Sequence, residues 1–498
     1  MKENRYNLID EKWIPTAGKG KVGLRTVFSD ESITSLGGNP IEKIAVFKLL
    51  LAIAQSACTP EDEKEWEKLG LSGLKQKVLD YLDKHYDRFW LYGEHPFLQI
   101  NEIEKAKLMS FGDVQLEIAT GNTSVVTEIQ SEKPLSDAEK ALLVLTLMGF
   151  ACGGKKTDNS VVLSKGYVGK TNDKGKPSTG KPGSSLGFMG FLHSFIVTQN
   201  VSQSIYLNLF TKAYISDLEM FPGGVGMGPW VQMPKGEDDA IAQNAKKSYM
   251  GRLLPLNRFV LLADKGIHYS EGINHNNYSE FIVDPSIAVD FSAKPKPKVI
   301  WVDPERRPWR QLTSLLAFLG ADKSTGYNCY QLRGVLGRCK NIPSFSVWSG
   351  GVRVSSNAGE QFLTGTDDFV DSEVQLSSSI LEEESSFFGN LSDEMKDLES
   401  IAKILYGKVL HYYANLMTEG KLIAAKSTNM YWQMCEGDFQ KLVNVCASDL
   451  YNNSIKELRI KFRMYALQIY DSQCPNQTAR QLEAWAKNRP FTRLKVDA

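Results

Sequence analysis

Apolar and polar positions along the chain predict most of its elements. After Asn39-Pro40, the residues Ile41, Ile44, Phe47, Leu51 and Ile53 give a helix one apolar side, and Pro40 suits the first helical position. Residues 62–90 read as helical again. Ser136 and Glu139 form a capping box ahead of an apolar helix over 137–151, with Gly153 placed to stop it. Strand-like segments fall near 204–211, 257–263, 279–283 and 298–302, and a further helix over 308–319. At the start, Asn7-Leu8-Ile9-Asp10 and then Trp13-Ile14-Pro15 read as a short strand leading into a turn. From about residue 366 the pattern becomes helical. Met395, Leu398, Ala402, Leu405, Val409, Tyr412 and Leu416 form one seam. Ile455, Leu458, Phe462, Tyr465 and Ile469 form another, behind a capping box of Ser454 and Glu457. Such seams bury themselves against other helices, which predicts a C-terminal helical bundle. No internal repeat interrupts this order.

Composition narrows the function. The chain has 498 residues, enough for about three domains or two larger ones, and 42% of them are hydrophobic. Lys plus Arg equal Asp plus Glu at 58 each, which excludes a uniformly basic nucleic-acid coat but leaves room for local patches. Residues 151–190 hold nine glycines, seven lysines and two aspartates, a local charge of +5. Lys294-Pro295-Lys296-Pro297-Lys298 is an extended basic run. In the bundle the charge is segregated: residues 366–420 carry 12 acidic and 3 basic residues, and residues 421–498 carry 7 and 12. That separation predicts one acidic and one basic side. The charged start carries no apolar core, so no signal peptide is expected. The apolar stretches 44–57 and 141–152 are too short to span a bilayer. Seven cysteines without CxxC spacing and six histidines without HxxxH spacing predict free thiols in a reducing cytoplasm and no metal.

Enzyme motifs fail on inspection. Gly175 to Pro182 nearly spells a phosphate-binding loop, but Pro182 stands where the magnesium-binding Ser or Thr belongs, and no apolar strand precedes it. Gly183-Ser184-Ser185-Leu186-Gly187 matches a nucleophile elbow that also lacks its strand. His95, in Gly93-Glu94-His95-Pro96-Phe97, reads as a packed structural histidine. Without an acidic pair or a metal-spaced cluster, the chain reads as a binding protein without cofactors. Glycine lets backbone N–H groups approach a groove closely, and lysine supplies salt-sensitive attraction, so residues 151–190 suit nucleic acid. A solvated insertion is the plain alternative.

Three segments carry a family resemblance. Asn7 to Asp10 with Trp13-Ile14-Pro15, Glu94 to Gln99, and Ser349-Gly350-Gly351-Val352-Arg353 together resemble the CasA family, the large subunit of the type I-E CRISPR surveillance complex Cascade. The resemblance implies an α+β fold: a mixed α/β domain, here 1–365, followed by a four-helix bundle, here 366–498. It implies a non-catalytic subunit that recognises the protospacer-adjacent motif in double-stranded DNA and helps open the duplex for guide RNA pairing. It also implies recruitment of a helicase-nuclease and partnership with CasB, CasC, CasD and CasE. Carried onto this sequence, the family's glycine loop matches Gly153, Gly154, Lys155 and Lys156. The wedge turn matches Arg353, Ser355, Ser356 and Asn357, where serines replace an expected Asn-Gln pair; Gly350 and Gly351 are expected to allow a tight turn, with Ser355-Ser356-Asn357 at its tip. The lysine finger falls within 260–285, with Lys265 favoured over His268 and Asn274 to Asn277. Gly121, Asn122 and Thr123 match a segment that touches the guide RNA or a neighbouring subunit. The bundle's basic face is expected to carry Arg459, Arg463 and Arg480. Two rival readings stay open: a ribonucleoprotein scaffold that reads no DNA motif, and a hydrolase or nucleotide-binding enzyme built on the two defective motifs.

Overall fold

The structure, a computed structural model, describes residues 3–116, 134–152, 157–158, 190–276, 278–320, 326–357, 360–363, 368–382 and 384–491. The chain forms two compact units. The first comprises Met1–Pro308, Ser324–Cys339 and Ser346–Glu373. The second comprises Trp309–Lys323, Lys340–Phe345 and Val374–Ala498.

The first unit is built around the helix Pro40–Ala57. Asn39 accepts the Glu42 amide and the Glu42 carboxylate accepts the Asn39 amide, each at 2.9 Å, a complete capping box. The pattern predicted one apolar side. Instead every residue from Ile44 to Gln55 is buried, because the helices Glu63–Lys84, Asp137–Gly149, Val201–Asn208 and Met250–Leu253 all pack on it. Its two central polar residues therefore need internal partners. Gln55 bonds both backbone groups of Phe210. Lys48 donates to the Asp284 carboxylate and to the Arg252 carbonyl, the latter at 3.1 Å. Burial pushes the Lys48 pKa down. Burial alone would raise that of Asp284, but Lys48, His193 and the Ser286 amide together outweigh it and the net shift is downward. His193 lies against this pair with Nδ1 2.8 Å from the Ser286 hydroxyl, and burial pushes its pKa down to about 3.

Other predicted elements meet mixed outcomes. The capping box of Ser136 and Glu139 forms, and its helix runs Asp137–Gly149. Gly153 lies outside the described residues. The strand expected near 204–211 is the helix Val201–Asn208, started by Asn200, whose side chain accepts the Gln203 amide. The segment near 279–283 is a 3-10 turn at Tyr278–Glu280. Strands do form at Arg258–Ala263 and Lys298–Val299.

One three-stranded sheet has the order Phe369–Ser377, Ser344–Val352, His193–Val197, and its last pair is antiparallel. Side-chain carboxamides cap both edge strands. Asn208 donates to the Ile196 carbonyl at 2.6 Å and accepts its amide at 3.4 Å. In the second unit, Gln440 likewise accepts the Gln375 amide at 3.0 Å and donates to its carbonyl at 2.8 Å.

The second unit holds four long helices: Phe387–Asn415, Lys421–Cys446, Tyr451–Gln473 and Ala479–Asn488. The first predicted seam is buried from Met395 to Tyr412, and of the second Ile455, Leu458, Phe462 and Ile469 are buried. The expected cap at Ser454 is not one, because the helix already begins at Tyr451. The helical pattern expected from 366 begins later, since Phe369–Ser377 is a strand. Trp309 joins this unit, its ring 4.4 Å from Phe439, and the Arg310 guanidinium sits 3.7 Å over Trp432. Among the described residues, no helix is long and apolar enough to cross a membrane.

Candidate nucleic-acid interface

The strands Arg258–Ala263 and Gly266–Glu271 pair antiparallel from Arg258↔Glu271 to Ala263↔Gly266. That register leaves Asp264 and Lys265 as a two-residue turn. Lys265 is exposed at the turn and forms no ion pair among the described residues. The hairpin is braced on both sides. Leu108–Met109 pairs with its second strand so closely that a Cβ on Gly266 would lie 2.1 Å from the Met109 carbonyl oxygen. Gln99, in the Glu94–Gln99 segment, accepts the Leu262 amide at 2.8 Å and donates to the Leu91 carbonyl. Of the rival finger candidates, Asn274 and Asn276 are exposed like Lys265, and the others are engaged or outside the described residues. His268 Nδ1 sits 2.8 Å from the Ala106 carbonyl, His275 is buried against Arg252, and Asn277 lies outside the described residues. His95, expected to be packed, is exposed.

The base of this hairpin holds a buried ion pair that sequence reasoning missed. Arg258 Nη1 lies 3.0 Å from Glu271 Oε2, with both side chains almost fully buried. Burial pushes the Glu271 pKa up, and Arg258 opposes it. The rest of the guanidinium donates to the Tyr269 hydroxyl and to the carbonyls of Asn257 and Cys152. The Thr157 hydroxyl donates to Glu271 at 3.2 Å, and the Asp158 amide donates to the Tyr269 carbonyl at 3.0 Å. Gly153, Gly154, Lys155 and Lys156 lie outside the described residues. Their flanks, Cys152 and Thr157-Asp158, both dock on the hairpin that presents Lys265. No local pattern signals this, because Arg258 and Glu271 look like ordinary strand-end charges in the sequence.

The wedge segment differs from its expected shape. Gly350 and Gly351 were expected to make a tight turn, but both lie inside the strand Ser344–Val352. A Cβ on Gly351 would meet the Phe191 carbonyl oxygen at 2.7 Å, so glycine serves close strand approach there. Arg353 is anchored to a carboxylate: Nη2 is 2.5 Å from Asp368 Oδ1, and its amide donates to the Asp368 carbonyl. Ser355–Asn357 is a strand paired with Glu360–Phe362, in the register Ser355↔Phe362 to Asn357↔Glu360. These three residues therefore form one arm of a second hairpin and not its tip. Gly121, Asn122 and Thr123 lie outside the described residues.

In the bundle, the expected basic face is partly neutralised. Arg459 binds the buried carboxylate of Glu394, with Nη2 to Oε1 at 2.5 Å, and Tyr451 donates to the same oxygen. Lys461 pairs with Asp438 at 2.7 Å. Arg463 acts on Asp397, whose pKa burial raises and Arg463 lowers. Arg480 stays exposed. Cross-helix pairing thus mixes the acidic and basic blocks that the sequence keeps apart.

A mixed α/β unit with braced hairpins, and a unit of four long helices, define a class of large two-unit proteins already seen in solved structures. Thermobifida fusca Cse1 aligns with a TM-score of 0.74 at 19% identity, over 98% of this chain and 97% of that one. A chain in a CRISPR RNA-guided surveillance complex aligns with a TM-score of 0.70 at 15% identity, over 98% and 99%. By sequence, CasA/Cse1 of Thermus thermophilus is 26% identical over 338 residues, 63% of this chain. The alignment spans only 60% of that relative. The family model for CRISPR-associated protein Cse1 matches residues 7–469, and the chain belongs to that family.

Proposed function

We propose that this chain is the large, non-catalytic subunit of a type I-E CRISPR RNA-guided surveillance complex in the cytoplasm. It reads the protospacer-adjacent motif of double-stranded DNA, helps open the duplex for guide RNA pairing, and supports recruitment of a helicase-nuclease. One observation carries this reading beyond family membership: the exposed Lys265 and both flanks of the glycine-lysine segment 153–156 rest on a single scaffold, the Arg258–Glu271 hairpin. The minor groove offers mainly acceptors, which a lysine and backbone N–H groups read coarsely. Two such elements read together best from a shared mount, and the Lys265 hairpin meets the flanks Cys152 and Thr157 at one buried ion pair. Separating base pairs costs a few kcal/mol per step, so a wedge needs a rigid mount. The hairpin after Arg353, tied to Asp368, supplies one. Once pairing starts, the exchange of duplex for hybrid is nearly balanced, and backbone contacts tip it.

The test is a motif-library binding screen with the assembled guide complex. Motif-dependent binding that Lys265→Ala weakens is the expected result. Changing Lys155 and Lys156 to Ala should weaken binding on all sequences and flatten its salt dependence. Binding indifferent to the adjacent motif overturns the reading and favours the scaffold role.

A further inference from the structure

The first unit holds a cavity of about 470 Å³, within the range of roughly 300–1,000 Å³ that small-molecule sites occupy. The three-stranded sheet, the start of the helix Pro40–Ala57, the helix Val201–Asn208 and the segment 34–36 enclose it. None of its lining residues belongs to either hairpin of the candidate interface. The buried part of the lining is apolar and aromatic. Phe47 and Phe195 lie with centroids 4.5 Å apart and planes tilted by 42°, and the Trp348 ring lies 6.5 Å from Phe195 at 24°. The one buried hydroxyl of the lining, Ser204, is spent. It donates to the Asn200 carbonyl and accepts the Thr198 amide, each at 2.9 Å. Water in that part finds few partners, and an apolar ring displaces it favourably. The outer part is charged. Lys43 Nζ and Trp348 Nε1 donate to the same oxygen of Asp371, Oδ2, at 2.7 and 3.2 Å. The other oxygen, Oδ1, has no donor among the described residues. Glu373 is exposed and forms no ion pair among the described residues. Two carboxylates therefore face one ammonium, and that ammonium is already committed to Asp371.

We propose that this cavity binds a small primary amine that carries an aromatic ring system, in its ammonium form. The ring lies against Phe47, Phe195 and Trp348, and the ammonium reaches Asp371 Oδ1 and Glu373. Aromatic pairs in offset or edge contact add to the area that the ring buries, and the nearby aromatic faces attract the cation. An aromatic acid of the same shape meets the surplus carboxylate instead. An aliphatic amine pairs with the carboxylates but leaves the aromatic wall unused. The site needs neither DNA nor guide RNA, so it stands apart from the function proposed above.

Isothermal titration calorimetry on the full chain tests it with three probes: tryptamine, 3-indolepropionate and butylamine. The first two share a ring and differ in the sign of their charge, and the third keeps the charge without the ring. Tryptamine should bind about tenfold more tightly than either of the others. Glu373→Lys, at an exposed position, reverses the local charge and should invert the preference between the two indoles. Val197→Trp fills the cavity and should abolish tryptamine binding, with its melting temperature recorded alongside. Should that variant fail to fold, the charge reversal decides alone. No tryptamine binding at millimolar concentration, or equal binding of the two indoles, overturns the proposal. An unchanged preference in Glu373→Lys, or intact binding in a folded Val197→Trp, overturns the assignment to this cavity. Butylamine binding as tightly as tryptamine overturns the role of the aromatic wall.

Discussion

Arg459 illustrates how a surface-looking charge acquires a structural role. Its guanidinium is half exposed, yet the Glu394 carboxylate that it binds is buried. Removing the cation leaves a buried carboxylate with Tyr451 as its remaining described donor. Arg459→Glu should therefore destabilise the bundle by about 2–4 kcal/mol, read as a lower urea midpoint, because an unpaired buried charge costs more than a surface pair contributes. Arg480→Glu, at an exposed position, should shift stability by less than about 0.5 kcal/mol. His193 and His275 make a second case at this scale. Burial pushes His193 down to about 3, and burial together with Arg252 holds His275 well below its ordinary value. Both stay neutral in the folded chain, while the unfolded chain protonates them near pH 6.5. The unfolded state then binds more protons below that pH, so stability is complete above it and falls as the pH drops towards 3. Between pH 6.5 and 5, each histidine should remove up to about 1.4 kcal/mol per pH unit. Urea titrations at several pH values check this, and His193→Gln should reduce the slope by one proton.

Among the elements, the lysine hairpin separates binding from folding most cleanly. Lys265 is exposed and forms no ion pair among the described residues, so Lys265→Ala should leave the melting temperature unchanged while weakening motif-dependent binding. Gly266→Ala should do the reverse in origin: its Cβ would lie 2.1 Å from the Met109 carbonyl oxygen, forcing the Leu108–Met109 strand away. A loss of about 1–3 kcal/mol is expected, measured by thermal or urea unfolding, with binding lost as a consequence. Two helix starts were legible in the sequence because their signals are local, Pro40 after Asn39 and Ser136 with Glu139; Ser454 with Glu457 has the same spacing but lies inside the helix that begins at Tyr451. The segment 204–211 was misread because Ile205, Leu207 and Leu209 alternate as in a strand, while the Asn200 cap and burial beside the central helix settle a helix. For the site, Lys265 was legible as a finger candidate, whereas its scaffold was not. Arg258 and Glu271 meet only through strand register, and Cys152 and Thr157 reach them from more than a hundred residues away. The glycines at 350 and 351 suggested a turn because glycine marks turns and close approaches alike.

Over the whole molecule, chain order and compact units do not coincide. Trp309–Lys323 belongs with the bundle although a stretch of the first unit follows it in sequence. A fragment starting at residue 366 lacks Trp309, whose ring packs on Phe439, and Arg310, which covers Trp432. It should keep far-UV helical signal but lose near-UV structure and bind a hydrophobic dye. A sharp cooperative melt of that fragment would contradict this. The two carboxamides on the sheet edges have a consequence for the molecule in bulk. Asn208 and Gln440 each offer one acceptor and one donor where a neighbouring strand would offer a peptide group. Ile196 is buried, but Gln375 is exposed, and there a second molecule cannot extend the sheet without first displacing a bond already made, which guards against fibre seeding. Conversion of Gln440 to its acid replaces the donor by an acceptor facing a carbonyl. The slow deamidation of a stored sample would thus unlock that edge, and light scattering should climb with the age of the stock.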